Sequence, residues 1–194
     1  MYSSIFLGDY AGFKATNAFR SQFIGEYAGY GATGAQDSQF IGQYAGYGAT
    51  TAVSSLFAGS NAGYGATNAS QSVFLGQDAG KNATDAASSI FIGYQAGIND
   101  TTLGSSILIG NSTSTGGFAG SIALGNGATN TSVLQLMIGS GTNPINEVVV
   151  YGTGGIQVPV GTTAERIATQ GMIRYNTSTN KFEGYDGTTW QDFY

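Results

Sequence analysis

Apolar residues recur along this chain in clusters of three, and a Gly closes each cluster. Ile5-Phe6-Leu7 precedes Gly8, and Ile90-Phe91-Ile92 precedes Gly93. Gly8, Gly25, Gly42, Gly59, Gly76, Gly93 and Gly110 stand 17 residues apart. A second Gly lies four residues after each of the first six, and an Ala-Thr pair repeats in phase from Ala15-Thr16 to Ala83-Thr84. Beyond Gly110 the spacing contracts to 15 and then 14, at Gly125 and Gly139. A unit of two helices needs roughly 30 residues or more, and so dense a run of Gly opposes helix. Short β-branched and aromatic triplets closed by Gly are strands. A second short strand is expected in the Ala-Thr half of each unit. Two strands and two tight turns make one coil of a solenoid, with coils stacked about 4.8 Å apart. The expected fold is therefore all-β: a β-solenoid, or β-roll, of about nine coils of 14–17 residues.

The triplets fix three stacked columns. Phe6, Phe23, Phe40, Phe57, Phe74 and Phe91 form the middle one, flanked by a column from Ile5 through Gln22 and Gln39 to Ile122 and one from Leu7 through Ile24 to Ile138. Neighbours on a strand face opposite sides, so the strand carries apolar residues on both faces. One face is the coil interior; the other needs a cover, because stacked Phe left in water would form an aggregating patch. Another copy of the chain is the simplest cover. The six Phe are the expected oligomer interface, although the pattern leaves open which column faces the coil axis. Ala11, Ala28, Ala45, Ala62, Ala79 and Ala96 suit a narrow interior.

After the last coil the pattern changes. Asn143-Pro144 marks a break. Glu147–Tyr151 and Ile156–Val160 are expected strands around a Gly-rich turn at 152–155. Met172–Tyr175 and Lys181–Tyr185 flank the hairpin signal Thr177-Ser178-Thr179-Asn180, and Asp186-Gly187 turns the chain into a third strand ending at Phe193. Tyr175, Phe182, Tyr185 and Trp190 would supply its core. The expected division is a repeat domain over residues 1–140, a β-rich connector over 141–160 and a small β-meander over 161–194, which would close the solenoid end.

Composition narrows the chemistry. Of 194 residues 32 are Gly, only 9% are charged, and His and Cys are absent. Disulfides, thiolate or imidazole metal sites and every His-dependent triad are thereby excluded. Stacked coils would set like charges about 5 Å apart, so scarce charge fits the repeat. The net charge of −5 argues against nucleic acid as a partner. No run of 18 apolar residues occurs, and the first residues do not have the form of a secretory signal. No cofactor is expected, and no enzyme activity. Glu183, Asp186 and Asp192 are the nearest carboxylate group, which in principle could act as a glycosidase pair; the simpler reading is that they solubilise a hairpin.

Two aromatic columns are the candidate contact surface. Tyr10, Tyr27 and Tyr44 stack in one; Phe13, Tyr30, Tyr47 and Tyr64 stack three residues on. Planar rings on an exposed sheet can hold sugars, or can ladder among themselves and only rigidify the coil. Asn61, Asp78, Gln95 and Lys81 replace the rings in later coils. Tyr185, Trp190 and Tyr194 form a second candidate surface.

Three stretches resemble known families. Ser121-Ile122-Ala123-Leu124-Gly125-Asn126-Gly127-Ala128 resembles the head repeat of trimeric autotransporter adhesins. The unit Phe91-Ile92-Gly93-Tyr94-Gln95-Ala96-Gly97 resembles repeats of bacteriophage tail fibres, and the segment from Gly161 to Trp190 is similar to a module of phage structural proteins. These resemblances imply an intertwined homotrimer in a phage tail fibre, located on the virion, with other tail or baseplate proteins and a host surface glycan or protein as partners. The chain opens directly in a coil, so a fibre subunit joined to another protein, or a fragment, is expected. A bacterial adhesin passenger and a fibre-borne polysaccharide depolymerase are the alternatives.

Overall fold

A computed structural model describes residues 3–101, 104–149 and 155–193. The chain divides into two compact units, Met1–Glu147 and Val148–Tyr194.

The first unit is a β-solenoid. Each coil contributes one three-residue strand to a single parallel sheet: β1 (Ile5–Leu7), β2 (Gln22–Ile24), β3 (Gln39–Ile41), β4 (Leu56–Ala58), β5 (Val73–Leu75), β6 (Ile90–Ile92), β7 (Ile107–Ile109), β8 (Ile122–Leu124) and β9 (Leu136–Ile138). The register is the repeat itself: Phe23 pairs with Phe40, Phe40 with Phe57, and Phe57 with Phe74. The second strand expected in each coil shrinks to single bridges, Thr16 to Thr33 and Thr33 to Thr50. The intervening backbone turns too often for a longer run. In each of the first five coils six positions have positive φ; in the second coil these are Gly25, Tyr27, Gly29, Gly31, Gly34 and Asp37.

The Phe column faces inward, which corrects its expected place at an oligomer interface. Phe23, Phe40, Phe57, Phe74 and Phe91 are fully buried within their own chain. Their rings stack nearly parallel, 4.6–4.8 Å apart. Phe6, in the first coil, stacks on Phe23 at 5.0 Å and stays half-exposed. The physical reason lies six residues downstream. A Cβ on Gly46 would sit 2.4 Å from the Phe40 ring, so the Gly opens the space that the ring fills. Three Ala columns line the remaining interior, including Ala28, Ala45, Ala62, Ala79 and Ala96 as expected. In the shorter coils the central residue becomes Leu108, Ala123 and Met137, smaller than Phe, as a smaller loop requires. The columns on either side of Phe, from Ile5 and from Leu7, therefore face outward.

A polar ladder runs inside the solenoid beside the Phe. Ser55 Oγ donates to the Ala69 carbonyl at 2.6 Å and accepts from the Ser72 amide at 3.3 Å. Ser21, Ser72 and their equivalents repeat the arrangement. Each hydroxyl thus satisfies a backbone group of the next coil that would otherwise be buried unpaired. On the outside several charged residues meet an opposite charge or an amide in the next coil: Arg20 pairs with Asp37, Gln43 with Glu26 and Asn68 with Asp85, each 17 residues apart.

The second unit is a four-stranded sheet of β10 (Val160–Gly161), β11 (Ile173–Asn176), β12 (Lys181–Tyr185) and β13 (Trp190–Asp192). The two hairpins fall where the turn residues place them. The expected strand at Ile156–Val160 survives only as β10, beside Pro159, which has no N–H to give a ladder. Residues 147–149 form no strand, and the rest of the expected strand to Tyr151 and its turn at 152–154 lie outside the described residues, as does Tyr194. The expected aromatic core is also corrected: Tyr175, Phe182, Tyr185 and Trp190 are only half-buried. The buried side chains are Glu183, Asn176 and Arg174, which share one face of the sheet.

Candidate functional site

The tyrosines singled out in the sequence come together on one face of the first four coils. Tyr27 stacks on Tyr10 and Tyr44 at 5.0 and 5.1 Å, with planes within 8°. Three residues on, Tyr30, Tyr47 and Tyr64 stack at 5.0 and 4.9 Å, and Phe13 extends that ladder at 5.6 Å. Rings of one ladder meet those of the other at 53–60°, and at 89° for Tyr10 and Phe13, with centroids 5.6–6.5 Å apart. The result is a shallow trough of seven rings running from coil to coil. Lys14 lies over Phe13 and Tyr30 at its rim, and Glu26 and Gln43 are exposed beside Tyr27 and Tyr44.

The first ladder stands on unusual backbone. Tyr10, Tyr27 and Tyr44 all have φ of 55–57°. A left-handed residue with a Cβ costs about 1–2 kcal/mol, least for Asn and Asp. The same position in later coils holds Asn61, Asp78 and Gln95 at the same φ. Ring stacking contributes about 0.5–1.5 kcal/mol per pair, which roughly offsets the backbone cost. The coil therefore needs a turn there but does not need Tyr. Burial, and then the nearby phenols of Tyr10 and Tyr44, hold the Tyr27 hydroxyl above its ordinary pKa, so it remains a proton donor. The ladders end in polar contacts: Asn61 donates to Asp78 at 3.0 Å, and Lys81 pairs with Asp78 while lying over the Tyr64 ring.

On the second unit Tyr185 and Trp190 are cross-strand partners with rings 5.5 Å apart. Trp190 is occupied by the guanidinium groups of Arg166 and Arg174, 5.5 and 5.9 Å from its ring. The three carboxylates of the glycosidase alternative are each committed elsewhere. Glu183 is fully buried; it accepts from both Nε and Nη2 of Arg166 and from Asn176 at 2.9 Å, and Arg174 lies 3.5 Å away. Asp186 accepts the Thr188 and Thr189 amides at 2.7 Å, and Asp192 pairs with Lys181 at 3.0 Å. A cavity of about 520 Å³ at Gly127–Ile145 is lined by Thr, Ser, Gly, Pro, Ile and Met, with no titratable side chain.

The Arg166 hydrogen bond, against the opposing effect of burial, holds the Glu183 carboxyl below its ordinary pKa. A lowered folded-state pKa contributes stability above the unfolded carboxyl range and loses it on acidification. Asp186 and Glu165 are lowered too, by turn and cap hydrogen bonds. The second unit is expected to melt at progressively lower temperature as pH falls below about 4.5. Fluorescence of Trp190, the single Trp of the chain, reports it, and Glu183→Gln should flatten the dependence.

The Ser ladder and the left-handed Tyr positions went unread in the sequence. The first had a signal, a Ser two residues before each Phe from Ser4 to Ser89. The second had only the later Asn and Asp at the same phase.

Among solved structures, the chain is similar to the crystal structure of the collagen-binding domain of the Yersinia adhesin YadA. The two are 18% identical, with a TM-score of 0.49, over 81% of this chain and 90% of that domain. No protein-family model matches the chain, and no curated protein matches it. Among the described residues, no helix is long and apolar enough to cross a membrane.

Proposed function

We propose that this chain is a structural subunit of an attachment fibre, carried on a phage tail or related particle, and that it works as a homotrimer at the host surface. One observation carries the assembly: the outer face of the nine-strand sheet is apolar in every coil, with only Gln22 and Gln39 interrupting one of its two columns. Ile5, Leu7, Ile41, Ile90, Ile109, Leu136 and Ile138 are each 37–63% exposed. A continuous patch of this kind marks a contact surface, and a closed symmetric assembly buries it on every copy. The argument for self-association first attached to Phe thus passes to the two columns beside it. The number three, and the phage particle, follow from the resemblance of the repeats and of residues 161–190. Many copies of a weak surface contact, held in register, would bind a host through avidity. Tail or baseplate proteins would hold the fibre, and nucleic acid has no place in this reading.

The trimer is tested by mass in solution: three times the chain mass of 19.8 kDa is expected. Ile41→Glu with Ile90→Glu should yield monomer or aggregate. A monodisperse wild-type monomer refutes the assembly. Imaging of intact particles with this chain labelled tests its place on a tail. The 15- and 14-residue coils around Ser121–Ala128 favour a second reading, a bacterial surface adhesin passenger; label on the cell envelope rather than on particles would select it.

A further inference from the structure

We propose that the paired ring ladders of the first four coils form a binding surface for a neutral, linear polysaccharide lying along the coil axis. This deepens the attachment reading, on which it rests, by naming the receptor chemistry.

Four observations point the same way. First, Tyr10, Tyr27 and Tyr44 sit in left-handed backbone that later coils fill with Asn61, Asp78 and Gln95 without change of φ. The fold does not demand rings there, and their stacking only offsets the cost of the backbone conformation, so their presence points to a use outside folding. Second, the ladder faces are taken up by neighbouring rings, so ring edges, the trough between ladders and the phenols remain for a ligand. Among the described residues, none of the hydroxyls of Tyr27, Tyr30, Tyr44, Tyr47 and Tyr64 hydrogen-bonds within the chain. A surface of alternating apolar edge and free hydroxyl matches a sugar, which offers C–H and O–H groups side by side. A lipid chain would leave those hydroxyls without partners.

Third, the site repeats. Equivalent rings recur once per coil at 4.9–5.1 Å. A pyranose unit of a linear chain has a similar length, so successive sugars meet equivalent rings, and several weak contacts add along one polymer. Fourth, charge selects against anions. Asp9 and Glu26 are exposed beside the trough, Lys81 over the Tyr64 ring is paired with Asp78, Lys14 is the other cation at the rings, and the chain carries −5 overall. An anionic polysaccharide or a nucleic acid would be repelled. A neutral ligand also predicts binding that changes little with salt.

The test uses the full chain and an array of neutral linear polysaccharides (glucans, mannans and N-acetylhexosamine polymers), with an anionic uronan beside them. Wild type should bind at least one neutral polymer, and salt should change this by less than twofold. Tyr27→Asn with Tyr44→Asn should lose tenfold or more. Because Asn61 already occupies the equivalent position, this variant should keep the wild-type melting temperature within a few degrees, which separates lost binding from lost fold. Binding of the uronan alone, of no polymer, or of wild type and variant equally overturns the proposal. So does attachment to host cells that protease abolishes and periodate spares, which would mean a protein receptor. None of these outcomes alters the trimer mass or the location of the fibre, which test the attachment reading separately.

Discussion

Phe57→Ala is expected to destabilise the solenoid by about 3–5 kcal/mol, the usual cost of emptying a buried aromatic site. The ring is fully buried and has Phe40 on one face at 4.8 Å and Phe74 on the other at 4.6 Å. Its removal leaves a hole bounded by stacked rings and by Gly63, which has no side chain to fill it. The neighbouring coils cannot close the gap, because each is held to the next by a backbone ladder with bonds near 2.9 Å. Urea unfolding followed through the tyrosines checks this. The result also separates an interior column from an interface column. Loss of an interface residue lowers the association constant and leaves the coil intact, whereas loss of Phe57 lowers the urea midpoint with an unchanged stoichiometry. Ile41→Glu, on the outer face, should do the reverse. If Phe57→Ala dissociated the assembly without moving the urea midpoint, the inward placement of the Phe column would be wrong.

The period of 17, the strand triplets and the turns of the second unit were legible because each is a local pattern that repeats or a turn with few permitted residues. Facing was not. Ile5-Phe6-Leu7 is apolar at every position, so alternation alone does not say which side is inside. The deciding contact, Phe40 on Gly46, joins residues six apart across the turn of one coil and shows only when the coil is closed. The outward Gln22 and Gln39 hinted at it, since amides are more at home on a wetted column. The core of the second unit escaped for a related reason. Phe182 and Glu183 are adjacent and so face opposite ways, and the aromatic residue is the natural choice for the interior. Arg166, 17 residues upstream of Glu183, reverses this by covering that face with a guanidinium. Of the candidate site, the two Tyr columns could be read from spacing. Their inclination into a trough, and the left-handed backbone under one of them, follow from the turn geometry of the coil and have no simple trace in residue type.

Gly42→Ala is expected to be as severe as the loss of Phe57, for the opposite reason. Gly42 has φ of 131°, and a Cβ there would lie 2.6 Å from the carbonyl oxygen of Gly59 in the next coil. The backbone conformation costs about 1–3 kcal/mol for a residue with a side chain. Forcing two backbones apart adds about 1–3 kcal/mol as overpacking. The smaller entropy of the unfolded Ala chain returns only about 0.4–1 kcal/mol. Gly48→Ala provides the contrast: φ is 61°, but nothing lies within 4 Å of the added carbon. That variant should lose only the left-handed cost, about 1–2 kcal/mol. Gly46→Ala should fall between, because its clash is with the Phe40 ring at 2.4 Å. A side chain can be shortened, so Phe40→Leu should partly restore Gly46→Ala, with a favourable coupling in a double-mutant cycle. No side-chain change should restore Gly42→Ala, since its obstacle is main chain. Urea midpoints of the four variants give the order directly. Equal effects of Gly42→Ala and Gly48→Ala would mean that the first Gly column serves conformation alone, and that the close stacking of one coil on the next does not demand it.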